Sequence, residues 1–157
     1  LTDIALAWDQ EAMAFDWTMA GPDVLLDAGL RTAVAVSLFT DGLARPDDAI
    51  PDGTDDRRGW WGDMPREGQG RDPIGSRLWL LTREKRTEQT RRRAEDYARE
   101  ALAWMLADGV ASAVDVAAEW GGAAGDQLRM VVTIRREADG RRASEVFEMV
   151  WAAEASR

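Results

Sequence analysis

Apolar and polar positions alternate at both ends of this 157-residue chain and recur at helical spacing through its middle. Ile4-Ala5-Leu6-Ala7-Trp8 alternates as a short strand, Phe15 to Met19 reads as its hairpin partner, and Gly21-Pro22-Asp23 as the next turn. Val24-Leu25-Leu26 leads to Asp27, a residue type suited to capping a helix. Leu30, Ala33, Val34, Ser37 and Leu38 then share one helical face, which predicts a helix over 28–39. Over 40–72 the periodicity collapses into prolines, aspartates and glycines, the mark of a long loop, and loops of this length are functional or disordered.

Regular structure resumes at Asp72-Pro73, a cap followed by proline at the first helical position, with Ile74, Arg77, Leu78 and Leu81 on one face. After a break near Arg86-Thr87, a longer helix is predicted over 88–107. Its apolar stripe is Ala94, Tyr97, Ala98, Ala101, Leu102 and Met105, and Gly109 is its stop. The remainder alternates as strands: 110–120, then 127–136 with Leu128, Met130, Val132 and Ile134 on one face, then 144–151. Turns fall at 121–126 and 138–141, and 152–157 is a tail. Short strands, three helices and a terminal β-meander predict an α+β fold, one domain over 1–157, with helices packed on a mostly antiparallel sheet.

Composition narrows the chemistry. The chain has no cysteine and no histidine, which excludes disulfides, thiolate nucleophiles, Ser-His-Asp triads and the usual zinc sites. The net charge of −9 argues against nucleic acid as a partner. No apolar run approaches a membrane span, and no secretory leader is visible. Eight tryptophans exceed what a core of this size requires, so some are expected to meet other chains.

The densest concentration of unusual residues is Asp55-Asp56-Arg57-Arg58-Gly59-Trp60-Trp61-Gly62-Asp63, inside the loop. Large aromatics in a polar turn-rich segment either fold back onto their own domain or anchor a partner, Trp and Arg being enriched at interface hot spots. The basic run Arg83-Glu84-Lys85-Arg86 with Arg91-Arg92-Arg93 is either a surface for an acidic partner or a solvated helix junction. Asp47, Asp48, Asp52, Asp55 and Asp56 lack the ligand order of a calcium loop and read as a solvated acidic segment, so no metal or other cofactor is expected. Two carboxylate pairs, Glu145 with Glu148 and Asp115 with Glu119, are the candidates for glycosidase-type acid–base work, although alternating acids usually mark the wet face of a strand. No catalytic residue stands out, and a non-enzyme is expected.

Several segments resemble the small baseplate wedge protein family of Mu-like contractile-tailed phages. They are Asp3-Ile4-Ala5-Leu6, the stretch from Asp27 to Val34, Ser37-Leu38-Phe39-Thr40-Asp41, Arg45-Pro46-Asp47-Asp48, the Arg-Arg-Gly-Trp-Trp-Gly-Asp segment, Ile74 to Leu81, and Ala94 to Ala98 with Ala101 to Trp104. The resemblance implies a structural wedge subunit, similar to the lysozyme-like small wedge protein of other contractile baseplates. Such a subunit links larger wedge proteins to the tail sheath and to the tube or hub. It stands in several copies in the virion tail baseplate and is assembled in the host cytoplasm. Expected interface residues are Asp55, Asp56, Arg57, Arg58, Trp60, Trp61, Asp63, Arg77 and Trp79, with Phe147, Met149 and Trp151 on a terminal strand open to a neighbour. A tail-associated, carboxylate-dependent peptidoglycan hydrolase is the alternative.

Overall fold

The computed structural model describes residues 3–4, 6–9, 14–17, 19–20, 23–24, 26–27, 30–63, 73–122, 127–138 and 141–152. The expected helix cap at Asp72, the centres of the turns at 123–126 and 139–140, the turn at 21–22 and the tail at 153–157 lie outside these residues, as does the side chain of Trp151.

The N-terminal strands form three antiparallel pairs. β1 (Asp3–Ile4) pairs with β6 (Leu26–Asp27), β2 (Leu6–Asp9) with β3 (Ala14–Trp17), and β4 (Met19–Ala20) with β5 (Asp23–Val24). The hairpin expected between the first two apolar pieces is therefore present. Asp27 is not the helix cap that its type suggested: it pairs with Asp3 in the β1–β6 ladder. Helix α1 (Arg31–Phe39) starts later, after Leu30, with no side-chain cap.

The middle of the chain departs most from expectation. No α-helix begins at Ile74. Gly75 has φ +102°, a left-handed conformation that interrupts a helix, and Ser76 forms an isolated parallel bridge with Asp41. Gly42 N–H donates to Ser76 O (2.7 Å) and Ser76 N–H to Thr40 O (2.9 Å), while the Ser76 hydroxyl donates to Leu38 O (2.6 Å). Only a 3-10 helix, Leu78–Leu81, follows, and all four of its residues are buried. Hydrophobic spacing alone mistakes this buried, bridged segment for an amphipathic helix.

Helix α2 (Glu88–Ala101) is capped by Thr87, whose hydroxyl accepts from Thr90 N–H. The predicted long helix is broken at Leu102 and resumes as α3 (Ala103–Ala107); Leu102 and Met105 both enter the core at the break. Gly109, at φ +69°, ends it as expected. The last three strands, β7 (Ala113–Gly121), β8 (Gln127–Ala138) and β9 (Arg141–Ala152), form an antiparallel sheet in the order β7-β8-β9. The architecture is α+β.

The core lies between this sheet and the helices. Val116, Ala118, Leu128, Met130, Val132, Ile134 and Phe147 face Val34, Leu38, Leu78, Leu80, Leu81, Ala94, Ala98, Leu102 and Met105. Each fully buried Leu, Ile, Val or Met contributes about 1.5–3 kcal/mol.

A methyl group at position 75 would lie 2.5 Å from Thr40 O and 2.9 Å from Gly42 N. Gly75→Ala is therefore expected to destabilise the protein by about 2 kcal/mol or more, read as a lower urea midpoint at unchanged slope.

Candidate interaction surface

The loop between α1 and the 3-10 helix is held on the domain by arginines. Arg77 is the centre. Its Nη1 donates to both carboxylate oxygens of Asp48 (3.0 Å each) and its Nη2 to Glu100 Oε2 (2.5 Å). Its guanidinium stacks 4.3 Å from the Tyr97 ring centroid. The Arg77 side chain is only 11% exposed, and its Nε is buried without a hydrogen bond. Arg45 joins the same Glu100 carboxylate through Oε1 (2.9 Å), and its backbone N–H donates to Asp48 (2.8 Å). Arg57 then closes the loop on itself by donating to the carbonyls of Arg45 and Pro46.

One turn further on, Arg58 takes up the left-handed region at φ +51°, held there as its N–H donates to Asp56 Oδ1 (2.9 Å). Its guanidinium pairs with Asp41 (2.7 Å) and lies 4.4 Å from the Trp79 ring centroid. Trp79 is buried, and its indole N–H donates to Gly42 O (2.8 Å). At the far end, both oxygens of Asp63 accept from Ile74 N–H (3.1 and 3.3 Å), which joins the loop to the segment before the 3-10 helix.

The tryptophan pair sits on this frame. The Trp60 ring covers Gly62 so closely that a methyl group there would fall 2.1 Å from it, and the ring would have to move aside to admit one. Trp60 and Trp61 are in tilted contact, with centroids 5.3 Å apart. Trp60 is 39% exposed and Trp61 72% exposed. Both rings are thus exposed, Trp61 the more fully, while Trp60 lies over the loop's own Gly62.

The other expected interface residues scatter. Arg57, Arg58 and Asp63 fasten the loop, and Asp56 orients Arg58, while Asp55 is exposed. Trp79 and Phe147 are core residues, and Arg77 is enclosed by its partners, so none of the three presents a free surface. Met149 is half-buried on the inner face of β9. The basic run is largely self-neutralised. Arg91 and Arg92 pair with Glu88, and Arg93 pairs with Glu84. Arg83 and Lys85 stand exposed beside Ile50, Pro51 and Leu80.

Neither of the two candidate acid pairs faces a common cleft. Glu145 and Glu148 point to opposite faces of β9, Glu145 inward with Arg136 and Glu148 outward. Asp115 and Glu119 are exposed and paired with Arg135 and Arg129. Carboxyls with shifted pKa move away from what a general acid needs. Side-chain hydrogen bonds from Arg91 and Arg92 hold Glu88 at about 2. Asp52 is lowered by its side-chain and backbone hydrogen bonds with Thr54. At Asp48 burial opposes the charged form, but the Arg45 N–H and the Arg77 guanidinium outweigh it and lower the pKa. Among the described residues, no cluster of acids could hold a metal ion, and no helix is long and apolar enough to cross a membrane.

Residues 30–142 match the family model described as Phage protein GP46. The chain belongs to the GP46 family of phage proteins. It is 50% identical over 119 residues to the baseplate protein gp46 of Escherichia phage Mu, covering 76% of this chain and 78% of that one. It is 36% identical over 118 residues to the Mu-like prophage FluMu protein gp46 of Haemophilus influenzae, covering 75% and 76%. The GP46 match takes in α1, the arginine-clamped loop, α2, β7 and β8, and ends as β9 begins.

Sequence reasoning found the loop but missed Asp48, Glu100 and Tyr97 as the residues that fix it. Their only signal is an arginine at 77 with acids far away in sequence.

Two outcomes follow from the Arg77 cluster. Arg77→Met, which strands the Asp48 carboxylate, is expected to cost about 3 kcal/mol in denaturant unfolding. Asp48 titrates lower in the folded chain, so its contribution is complete above the ordinary Asp value of about 4 and is lost as pH falls through the folded value. Urea midpoints measured from neutral to acidic pH should decline less steeply for Asp48→Asn than for the unaltered chain, from a lower starting point.

Proposed function

We propose that this chain is a non-enzymatic structural component of the tail baseplate of a contractile-tailed phage or prophage-derived particle. It acts as one wedge domain between larger wedge proteins and the tail sheath, tube or hub. The observation that carries this reading is the 50% identity to a Mu protein named as a baseplate protein, over three-quarters of both chains. The pre-ordered loop supports it: Trp61 is a large aromatic held outward on a frame of ion pairs, which lowers the entropy lost on docking. The segregation of candidate acids to opposite faces, or into ion pairs with arginine, supports a role without hydrolysis.

In this reading Trp61 is the anchor for a larger wedge protein, with Trp60, Arg57, Arg58, Asp55, Asp56 and Asp63 shaping its base. Arg77 and Trp79 act through the loop they hold. The terminal strand, with Phe147, Met149 and Trp151 along it, pairs with a neighbouring chain at its open edge, the sheath being the expected partner. The protein stands in several copies in the virion baseplate and is assembled in the host cytoplasm.

Crosslinking mass spectrometry of purified tail particles from a strain carrying this gene tests the reading. The expected result is a particle component crosslinked through residues 55–63 to a larger tail protein; complete particles lacking the chain would refute it. Trp61→Ala is expected to leave unfolding free energy within about 0.5 kcal/mol of the parent. It should also reduce incorporation into particles by roughly thirtyfold, the size of a hot-spot loss. An unfolded Trp61→Ala protein would instead make Trp61 a stability residue.

A further inference from the structure

The turn between the 3-10 helix and α2 carries the basic run, which the proposed interface leaves unused. It lines an open groove of about 660 Å³. Ala49, Ile50 and Pro51 of the loop bound the groove on one side, and the start of α2 bounds it on the other. Its floor is apolar: Leu80 is buried there, and Ile50 is half-buried against the core. None of residues 55–63 lines it, so it is a different surface from the tryptophan loop.

The charge of the groove is opposite to that of the chain. Arg83 and Lys85 line it and are exposed, and among the described residues neither makes an ion pair. The carboxylates nearest to them in sequence are taken by other arginines: Glu84 pairs with Arg93 (2.8 Å), and Glu88 with Arg91 and Arg92. Arg93 in turn donates to the Tyr97 hydroxyl (3.1 Å) and shares the Tyr97 ring with Arg77. Two cations are thus left uncompensated at the rim, in a chain whose net charge is −9.

The backbone that presents these cations is fixed. Glu84 N–H donates to Leu81 O (3.1 Å), and the Lys85 carbonyl accepts from both Thr87 N–H (2.9 Å) and the Thr90 hydroxyl (2.6 Å). The Thr87 and Thr90 hydroxyls are bonded to each other at 3.0 Å, so this part of the α2 wall is satisfied within the chain. Arg83 Nη1 reaches Pro51 O at only 3.4 Å, longer than a charge-assisted hydrogen bond. The demand that remains at the rim is for anionic oxygen at two points, beside an apolar floor.

We propose that this groove receives an acidic peptide segment of another tail protein, with one carboxylate on Arg83, a second on Lys85 and an apolar side chain against Ile50 and Leu80. The source of the segment rests on the baseplate reading, and its chemistry rests on the groove itself. Arg83 offers a forked pair of donors to a carboxylate, and Lys85 a compact point charge. A small ligand in so open a site would stay mostly in water, whereas a segment of chain covers the floor as it crosses. A nucleic acid would meet the repulsive field of the acidic chain around two cations and would leave the apolar floor unmatched.

Lys85 is the only lysine in the chain, so its contact can be read singly. A carbodiimide applied to purified tail particles condenses an ammonium with a touching carboxylate into an amide, with loss of water, and mass spectrometry identifies the carboxylate. The expected product joins Lys85 to an Asp or Glu of another tail protein. A product joining Lys85 to an acid of this chain, in the same copy or a second one, would overturn the proposal. In parallel, the full chain carrying Arg83→Glu with Lys85→Glu, or Arg83→Gln with Lys85→Gln, is supplied to a tail-producing strain lacking the gene. Incorporation into particles is expected to fall about tenfold or more for the reversed pair and about threefold for the neutral pair, with melting temperatures close to the parent. Normal incorporation of the reversed pair would overturn the groove proposal while the baseplate reading survives. Should the reversed pair melt early, the neutral pair decides, and its normal incorporation would overturn the proposal. Binding of a labelled single-stranded RNA by the purified chain, lost in the neutral pair, would make a polyanion the occupant and overturn the acidic-peptide assignment. Absence of the unaltered chain from complete particles would overturn the baseplate reading itself.

Discussion

The withdrawal of one guanidinium from water at Arg77 is the constraint on which the central part of this molecule depends. An arginine there requires acceptors, and the chain supplies them from two directions: Asp48 in the loop and Glu100 on α2, with the Tyr97 ring against its flat face. Because each acid also engages Arg45, the loop cannot leave the helix without stranding several charges at once. A lysine would satisfy the charge but not the forked geometry that reaches both acids from one plane. Burial with an unbonded Nε makes the arrangement costly to form, and removing either side of the pair would be costlier still.

The tryptophan loop inherits its order from this cluster. Arg57 and Arg58 use the same carbonyl, carboxylate and aromatic contacts one turn further along, and Asp63 ties the end to Ile74. A loop with this many fixed points has few conformations left to lose. Trp61 then projects from backbone that is fastened on both sides. The Asp-Arg-Arg-Gly-Trp-Trp-Gly-Asp pattern has a physical reading residue by residue: acids orient arginines, arginines hold the backbone, and Gly62 admits the Trp60 ring.

Much of the regular structure was legible because it repeats. The stripe of Ala94, Tyr97, Ala98, Leu102 and Met105 marks α2 and α3, and the alternation Leu128, Met130, Val132, Ile134 marks β8 and its buried face. What was illegible depends on contacts between residues distant in sequence. Ile74, Leu78 and Leu81 have helical spacing, but the left-handed turn at Gly75 and the bridge from Ser76 to Asp41 override it. Asp27 has the chemistry of a cap and the pairing of a strand. Trp79 sits in a motif rich in interface residue types, and only the fold reveals that its indole N–H is bonded to Gly42 inside the domain. The unusual loop was visible as unusual, whereas the direction each tryptophan faces was not.

The charges on α2 carry the last step. In sequence, Glu88, Arg91, Arg92, Glu95 and Arg99 look like the spaced ion pairs of any solvated helix face, and several do pair in that way. Three of them also reach sideways to the backbone of β7. A sheet edge left bare invites unplanned pairing, and covering it with charged side chains is a general protection against that. Among the described residues the protection is one-sided: side chains of α2 cover β7, and no strand pairs with the outer edge of β9. Among the described residues the two sheet edges are thus built differently, and Trp61 is held outward on a separately clamped loop.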